Sequence, residues 1–197
     1  MVLAAGASTR MGRPKELLEF QGVTCLELVL RACAGAGLGA PVLVTRQERC
    51  AQLAALLGPE FPDVRLVVNP TPELGQTSSL RAGLASLPGE SRGFLIYPVD
   101  HPLVTAADLA RLAIVFTEAA SPVSIVAPSF QHRRGHPVIV AAALAPALLA
   151  LPPGASPREI LSPAAATTRF VDFDDDRVLL DMDTPEAYET ARQRHRG

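Results

Sequence analysis

Leu3-Ala4-Ala5-Gly6-Ala7-Ser8-Thr9-Arg10-Met11-Gly12-Arg13-Pro14-Lys15-Glu16-Leu17-Leu18 is the stretch that decides the fold. It leaves a short, fully apolar run, Met1–Ala4, that reads as a strand buried on both faces. Small residues just past a strand's carboxyl edge let backbone N–H groups come close to an anion. In open α/β sheets ligands bind at that edge, beside a switch in strand order. Arg10 and Lys15 project from the same loop. A guanidinium grips two oxygens of one phosphate, whereas an ammonium presents a compact point charge. Lys15 is the only lysine in the chain and every other basic residue, apart from histidine, is arginine. That usage marks a position where a guanidinium does not fit.

Two other glycine-rich loops are excluded by spacing. A Walker loop has four residues between its glycines and Lys-Ser/Thr after the second, whereas Arg13-Pro14 follows Gly12 here. Gly35-Ala36-Gly37-Leu38-Gly39 ends a helical pattern and leads into a strand, the reverse of the dinucleotide-binding order, so it reads as a helix C-cap.

Outward from the loop, apolar strands alternate with helical patterns. Thr24 and Glu27 form a capping-box pair opening a helix over Cys25–Ala36. A strand over Pro41–Thr45, a helix over Gln47–Leu57 and a strand over Arg65–Val68 follow. A helix over Ser78–Leu87, capped by Thr77 or Ser78, precedes a strand over Gly93–Tyr97, and Thr105 caps a helix running to about Thr117. Continuously apolar strands joined by helices predict an open, parallel α/β sheet with right-handed crossovers. The pattern then loosens. Strands over Ser124–Ala127 and Pro137–Val140 flank a polar loop and predict a hairpin or antiparallel insertion. The run Val138–Leu151 reads as a buried strand followed by a buried helix. Ser156-Pro157-Arg158-Glu159 starts a short helix. Late strands over Thr168–Phe173 and Val178–Asp181 flank an acidic turn, and Thr184-Pro185-Glu186 opens a terminal helix. Neither a repeat nor a linker divides the chain, so one domain over 1–197 is expected.

Composition bounds the function. The 197 residues are 48% hydrophobic and 19% charged, with formal net charge −2 and mean hydropathy +0.23. A disordered chain is apolar-poor and highly charged. A pI near 6.1 without a basic tract points away from nucleic acid. Cys25, Cys33 and Cys50 form neither a CxxC pair nor an even set, which suits reduced thiols in a cytoplasmic protein. The apolar start lacks a basic leader and is too short for a signal segment. The longest apolar run, broken by Pro146, falls short of the ~18 residues of a membrane span. Neither nucleic acid nor membrane is an expected partner.

The opening motif resembles the L-A-A-G-x-S-x-R-M-G-x-P-K signature of nucleotidyltransferases. Gly75-Gln76-Thr77-Ser78-Ser79-Leu80-Arg81-Ala82-Gly83-Leu84, Asp100-His101-Pro102-Leu103-Val104, Arg134-Gly135-His136-Pro137-Val138 and Leu180-Asp181-Met182-Asp183-Thr184-Pro185-Glu186 follow in order. Together they resemble the molybdenum cofactor cytidylyltransferase (MocA-like) branch of the MobA-like NTP transferase family. That resemblance implies a three-layer, Rossmann-like α/β fold of the GT-A, nucleotide-diphospho-sugar transferase type, with a mostly parallel mixed sheet. It implies Mg²⁺-dependent transfer of a nucleoside monophosphate, CMP from CTP foremost, to the phosphate of an acceptor such as molybdopterin, releasing pyrophosphate. A guanylyl or sugar-phosphate nucleotidyltransferase, or a non-catalytic nucleotide-binding regulator or cofactor chaperone, are the alternatives. The implied partners are the NTP, a phosphate-bearing small molecule, and a molybdoenzyme client or its chaperone.

By the same resemblance, Ala4, Ala5, Gly6, Arg10 and Lys15 hold the triphosphate, with Arg10, Lys15 and Asp100 catalytic. Gly75, Gln76, Thr77, Ser78 and Ser79 lie near the nucleobase, and Asp100 and Asp183 hold the metal. Ala5 stands where the guanylyl-transferring branch carries a second glycine. The family's Gly-Asp-Met-Pro or Gly-Asp-Gln-Pro piece appears here as Val99-Asp100-His101-Pro102, so His101 is a departure. Members of the family usually carry a few more residues before the first strand, so the resemblance leaves open a natural start upstream of Met1. Read from position alone, Asp100 beyond GFLIY and Asp183 beyond VLLD both project from strand ends toward the loop. Arg81, Arg134 and His136 are candidates for the acceptor, with a solvated hairpin tip as the other reading of His132–His136. The four-residue spacing of His132 and His136 is broken by Gly135, against a helical zinc site. The Asp172–Asp176 run lacks the glycine of a calcium loop and reads as a solvated turn.

Overall fold

The computed structural model describes residues 1–119, 123–152 and 154–195. In chain order the first half runs β1 (Val2–Leu3), β2 (Glu19–Phe20), β3 (Val23–Thr24), α1 (Cys25–Gly35), β4 (Val42–Arg46), α2 (Cys50–Leu57), β5 (Arg65–Asn69), α3 (Gln76–Leu84), β6 (Gly93–Pro98) and α4 (Ala106–Glu118). The second half adds β7 (Ile125–Phe130), β8 (Arg133–Arg134), β9 (Val138–Ala141), α5 (Ala145–Leu149), α6 (Arg158–Leu161), β10 (Thr168–Asp172) and α7 (Pro185–His195). The main sheet has the order β10-β7-β9-β6-β1-β4-β5, with β8 paired to β7. Neighbours are parallel except β9, which runs against both β6 and β7, and β8. The sheet is therefore mixed and mostly parallel, as the sequence predicts.

Alternation along the strands builds a layer on each face. Val2, Ala4, Leu43, Tyr97, Val126 and Ile139 pack with Leu26, Val29 and Leu30 of α1 and Leu109 and Leu112 of α4. Leu3, Ala5, Val42, Val44, Ile96, Ile125 and Val140 face the other way, onto Leu80 and Leu84 of α3 and Leu148 of α5. Burying each such side chain contributes about 1.5–3 kcal/mol before chain entropy is counted. The last helix joins the first layer: Tyr188 stacks edge-on against Phe20 and donates its hydroxyl to the Glu19 carbonyl.

Strand order also creates the binding crevice. After β1 the chain builds β4 and β5 on one side, then returns to lay β6 on the other side of β1. β1 therefore has β4 on one side and β6 on the other, a switch in strand order, and ligands bind at the carboxyl ends of such strands.

Several local expectations hold and several need correction. The Thr24–Glu27 and Thr105–Asp108 capping boxes both form. The hairpin forms with a two-residue tip, Gln131-His132, both left-handed at φ 50 and 63, as a primed turn requires. The helix expected over 47–57 opens as a 3₁₀ turn, Gln47–Arg49, and α5 buries only Leu148. The helix over α3 starts at Gln76 behind Gly75 (φ 84), not at a Thr77 or Ser78 cap, and ends at Leu84. Thr77 instead donates to the Ala155 carbonyl, and Ser78 to Gly75. No strand forms over Val178–Asp181. Asp175 accepts from the Arg177 backbone N–H and pairs with its guanidinium, winding Asp176–Val178 into a 3₁₀ turn. The acidic run is tied down, not merely solvated: Asp172 holds the Ser129 hydroxyl and Asp176 pairs with Arg194.

Candidate active site

The loop between β1 and the 3₁₀ turn Lys15–Leu17 is pinned at both ends. Ser8 adopts the left-handed region (φ 54), and its carbonyl accepts from Gly12 N at 2.9 Å. Met11, 5% exposed, plugs the loop into the core. Glu16, 1% exposed, pairs with Arg49 at 2.6 Å, and the same guanidinium nitrogen donates to the Gly6 carbonyl at 3.2 Å. Between these anchors the Gly6–Ala7 backbone stays exposed, and a Cβ placed on Gly6 would meet no atom within 4 Å. Nothing in the protein's own packing requires glycine there; the open space suits close approach of an anion.

Lys15 crosses the crevice. Its Nζ lies 2.7 Å from Asp100 Oδ2 and also bonds Asp183, which in turn pairs with Arg10. Lys15 and Asp100 are mostly buried, at 14% and 19% side-chain exposure, while Arg10 is 68% exposed. Burial alone lowers the Lys15 pKa, but the two carboxylates outweigh it and hold the ammonium above its ordinary value. Burial would likewise raise Asp183, and hydrogen bonding and charge from Lys15 and Arg10 hold it below the usual range. The sequence-predicted set Arg10, Lys15, Asp100 and Asp183 is thus one cluster. Asp100 reaches it from just beyond β6; Asp183 reaches it from the segment after the 3₁₀ turn, not from a strand end, with Met182 N donating to the Asp100 carbonyl at 3.1 Å.

Two cavities with shared lining lie on this side of the sheet, the first of them beside the cluster. One, about 480 Å³, lies against Ala4–Ser8, Lys15, Gly75, Gln76, Ser79 and Asp100, and also Arg46. The other, about 390 Å³, is lined by Gln76, Arg134, His136, Ser156 and Arg158 over an apolar floor. They share Leu3 and Gln76. Of the residues expected at the nucleobase, Gly75, Gln76 and Ser79 line the first cavity. Thr77 and Ser78 do not; on α3 they lie with Arg81 along a different depression, since residues one and two past Gln76 fall on other helix faces. Arg81 donates to the Leu151 carbonyl at 3.3 Å and is not brought to Arg134 and His136.

Arg134 and His136 do come together, and Arg158 joins them. Burial and the Arg158 charge lower the Arg134 pKa, the signature of two cations facing a shared space. Gly135 is required between them: a Cβ would overlap the Val178 carbonyl, to which His136 N donates at 2.9 Å. The imidazoles of His136 and His101 lie 5.2 Å apart, and His101 Nε2 is 3.9 Å from Asp100 Oδ1. Burial keeps His101 below its ordinary pKa. Among the described residues, the buried side-chain nitrogens and oxygens without a hydrogen-bond partner are Arg46 Nε, Asp100 Oδ1, His101 Nδ1 and His136 Nδ1, all at these two cavities or beside Asp100. A concentration of unsatisfied buried groups is costly to a fold and marks a site built for something else. Motif reading missed Glu16, Arg49, Arg46 and Arg158. For Arg46 the available signal was a cation at a strand's carboxyl edge, one residue past the expected end of that strand.

A larger depression of about 590 Å³, lined by Leu28, Arg31, Arg177 and Arg194, carries no comparable demand. Its arginines already face carboxylates: Arg31 with Glu60, Arg177 with Asp175 and Asp108, Arg194 with Asp176.

The carboxylates fit a divalent cation. Asp100 Oδ1 is buried and unpartnered, and both acids offer only hard oxygen donors, those of Asp183 being engaged by Lys15 and Arg10 until these cations turn to phosphates. Among the described residues no group of three or more His, Cys, Asp or Glu could hold a metal. Two carboxylates completed by substrate phosphates and water is the arrangement expected of magnesium or manganese.

Burial, then His101 and Arg134, holds the His136 imidazole down at about 4. Between pH 6.5 and 4 the unfolded chain takes up a proton that the folded chain refuses. The His136 contribution to stability is therefore complete above pH 6.5 and is lost as pH falls toward 4. The expected slope is on the order of 1.4 kcal/mol per pH unit across that window. Urea unfolding of wild type and His136→Gln at pH 7 and pH 5 checks this; the variant should show the shallower loss, and equal losses would contradict it.

The chain matches the MobA-like NTP transferase domain over residues 1–169. It is 34% identical over 103 residues to the bifunctional IPC transferase and DIPP synthase of Rubrobacter xylanophilus, a match covering 51% of this chain and 23% of that protein. The chain thus spans under a quarter of that relative's length. Rv0371c of Mycobacterium tuberculosis H37Rv is similar in structure (TM-score 0.81, 26% identity, 98% of this chain and 96% of that one), and a second structure of it is a complex with manganese (TM-score 0.77, 25% identity, 98% and 96%). A nucleotidyl transferase from Methanothermobacter thermautotroptrophicus superposes with TM-score 0.79 at 25% identity, covering 98% and 95%. Among the described residues no helix is long and apolar enough to cross a membrane.

Proposed function

The chain belongs to the MobA-like NTP transferase family, and from that premise we propose that it transfers a nucleoside monophosphate, CMP from CTP foremost, to the phosphate of a small-molecule acceptor of the molybdopterin type, releasing pyrophosphate. The observation that carries this reading is the Lys15 ammonium bridging Asp100 and Asp183 beside a cavity that shares Leu3 and Gln76 with a second, arginine-lined one. One cavity has the loop backbone and Lys15 for a triphosphate. The other has Arg134 and Arg158 for an acceptor phosphate. Ala5, in place of a second glycine, supports cytidylyl over guanylyl transfer.

In this reading an oxygen of the acceptor phosphate attacks the α-phosphorus. The new P–O bond forms as the bond to the β-phosphate breaks, and pyrophosphate leaves. The attacking oxygen is already anionic, so no side chain need take its proton; positioning and charge neutralisation do the catalysis. Arg10, Lys15 and the Gly6–Ser8 backbone hold the departing phosphates, Gly75, Gln76 and Ser79 line the nucleoside end, and Arg134 with Arg158 orient the acceptor. His101 and His136, both held neutral, separate the acceptor cavity from Asp100 without adding charge. Asp100 and Asp183 would hold Mg²⁺, which when bound neutralises the phosphate oxygens.

A second reading keeps the transfer and replaces the pterin by another phosphate-bearing acceptor; the 34% identity to an IPC transferase favours it. Mg²⁺ with the preferred NTP at a hundred times Kd is expected to stabilise the protein by about 2.7 kcal/mol. A thermal-unfolding screen of CTP, GTP, UTP and ATP measures this, and pyrophosphate release with molybdopterin or sugar phosphates then identifies the acceptor. Negligible shifts with all four NTPs would overturn the nucleotide reading. Binding of an NTP with no pyrophosphate from any acceptor would leave a non-catalytic binder.

A further inference from the structure

The nucleotide cavity contains one cation that the shared motifs do not account for. Arg46 closes β4, opposite Asn69 of β5, and lines the same space as Ala5, Gly75, Gln76 and Ser79. Its side chain is 21% exposed, and its Nε is buried without a hydrogen-bond partner among the described residues. Its carboxylate neighbour, Glu48, lies 3.5 Å from Nε on a side chain that is 73% exposed. The other cations at this edge are more firmly engaged: Lys15 by Asp100 and Asp183, Arg10 by Asp183, and Arg49 by the buried Glu16. A buried guanidinium N–H left unmatched is costly, and a ligand that supplies the acceptor removes the cost.

Strand order decides which part of a nucleotide reaches it. Asp100 lies beyond β6 and Arg46 ends β4, with β1 between them. Two strand spacings separate these ends by about 10 Å. With the α-phosphate at Asp100 and the remaining phosphates over the Gly6–Lys15 loop, the nucleobase lies toward β4 and β5. We propose that Arg46 reads the nucleobase, its donor-only fork requiring two adjacent acceptor atoms. Cytosine offers such a pair in O2 and N3, and guanine in O6 and N7, whereas adenine and uracil interleave donors with acceptors. The proposal rests on the nucleotide-transfer reading and assigns its base selectivity.

The test is the Kd of CTP, GTP, UTP and ATP, each with Mg²⁺, for wild type, Arg46→Ala and Arg46→Lys. Wild type should favour CTP or GTP over ATP and UTP. Arg46→Ala should weaken the favoured nucleotide about tenfold or more and leave the other affinities unchanged. Arg46→Lys keeps the charge but lacks the planar fork, so it should not restore selectivity. An equal loss for all four nucleotides would assign Arg46 to the phosphates and overturn the proposal, as would unchanged selectivity in both variants. Failure of wild type to bind any NTP would overturn the nucleotide reading and this assignment together. Urea unfolding of both variants without ligand confirms that they fold.

Discussion

Lys15→Ala is expected to lower pyrophosphate release by at least about 10²–10³-fold, the usual cost of removing one preorganised charge from a developing anionic centre. The ammonium sits between Asp100 and Asp183 and faces the loop backbone, so it is positioned before substrate arrives. A loop lysine is ordinarily marginal to stability, but this one is not. At 14% side-chain exposure Lys15 compensates two carboxylates, and its loss leaves them facing each other with only the exposed Arg10 nearby. Breaking a buried pair in this way costs up to 3–5 kcal/mol, less for a partly exposed one, and a divalent cation should recover part of it. The variant should therefore show a lower Tm than wild type without ligand and a larger stabilisation by Mn²⁺ or Mg²⁺. Lys15→Arg should fail as well, because the larger planar guanidinium spreads over three nitrogens the charge that the ammonium concentrates at one point between the carboxylates and the phosphates. Wild-type turnover in Lys15→Ala would remove the assignment of the loop.

The second large effect is expected from Asp100→Asn, a change of shape-conserving size. It replaces a carboxylate oxygen by an amide, which withdraws both negative charge and one hard donor. Turnover should fall by at least about 10²-fold, and the stabilisation by divalent cation should largely vanish even without nucleotide. Asp100 Oδ1 has no hydrogen-bond partner, the amide oxygen of Asn can still accept from Lys15 in place of Oδ2, and Lys15 keeps its charged partner Asp183. Stability in the absence of metal is consequently expected to change less than for Lys15→Ala. Manganese binding followed by electron paramagnetic resonance separates the metal effect from the catalytic one; full metal affinity in the variant would move the metal site elsewhere.

Much of this site was legible because its main parts are short and local. The Leu3–Lys15 loop is thirteen consecutive residues, and composition and order alone place it after a buried strand. The Thr24–Glu27 box, the alternating cores and the hairpin depend on neighbours within a few residues, so the sequence shows them directly. What failed were inferences that carried a local pattern across a tertiary contact. Val178–Asp181 has the apolar look of a strand, but Asp175 and Arg177 bond each other first and wind the turn. Thr77, Ser78 and Arg81 belong to a shared motif, yet helix periodicity turns them away from the cavity that Gln76 and Ser79 line.

The chain's own order of residues determined an α/β sheet with an anion loop after its first strand, because small residues, one amine and an apolar run act within reach of one another. Tertiary structure alone decided the rest. Laying β6 on the far side of β1 brings Asp100 to Lys15 across 85 residues, and the terminal segment delivers Asp183 across 168. The same folding sets Arg158 beside Arg134 and Arg46 at the nucleoside end. Charges so distant along the chain have no local pattern linking them; only the packed sheet brings them together, and for the mostly buried Lys15 and Asp100 burial makes the interaction strong.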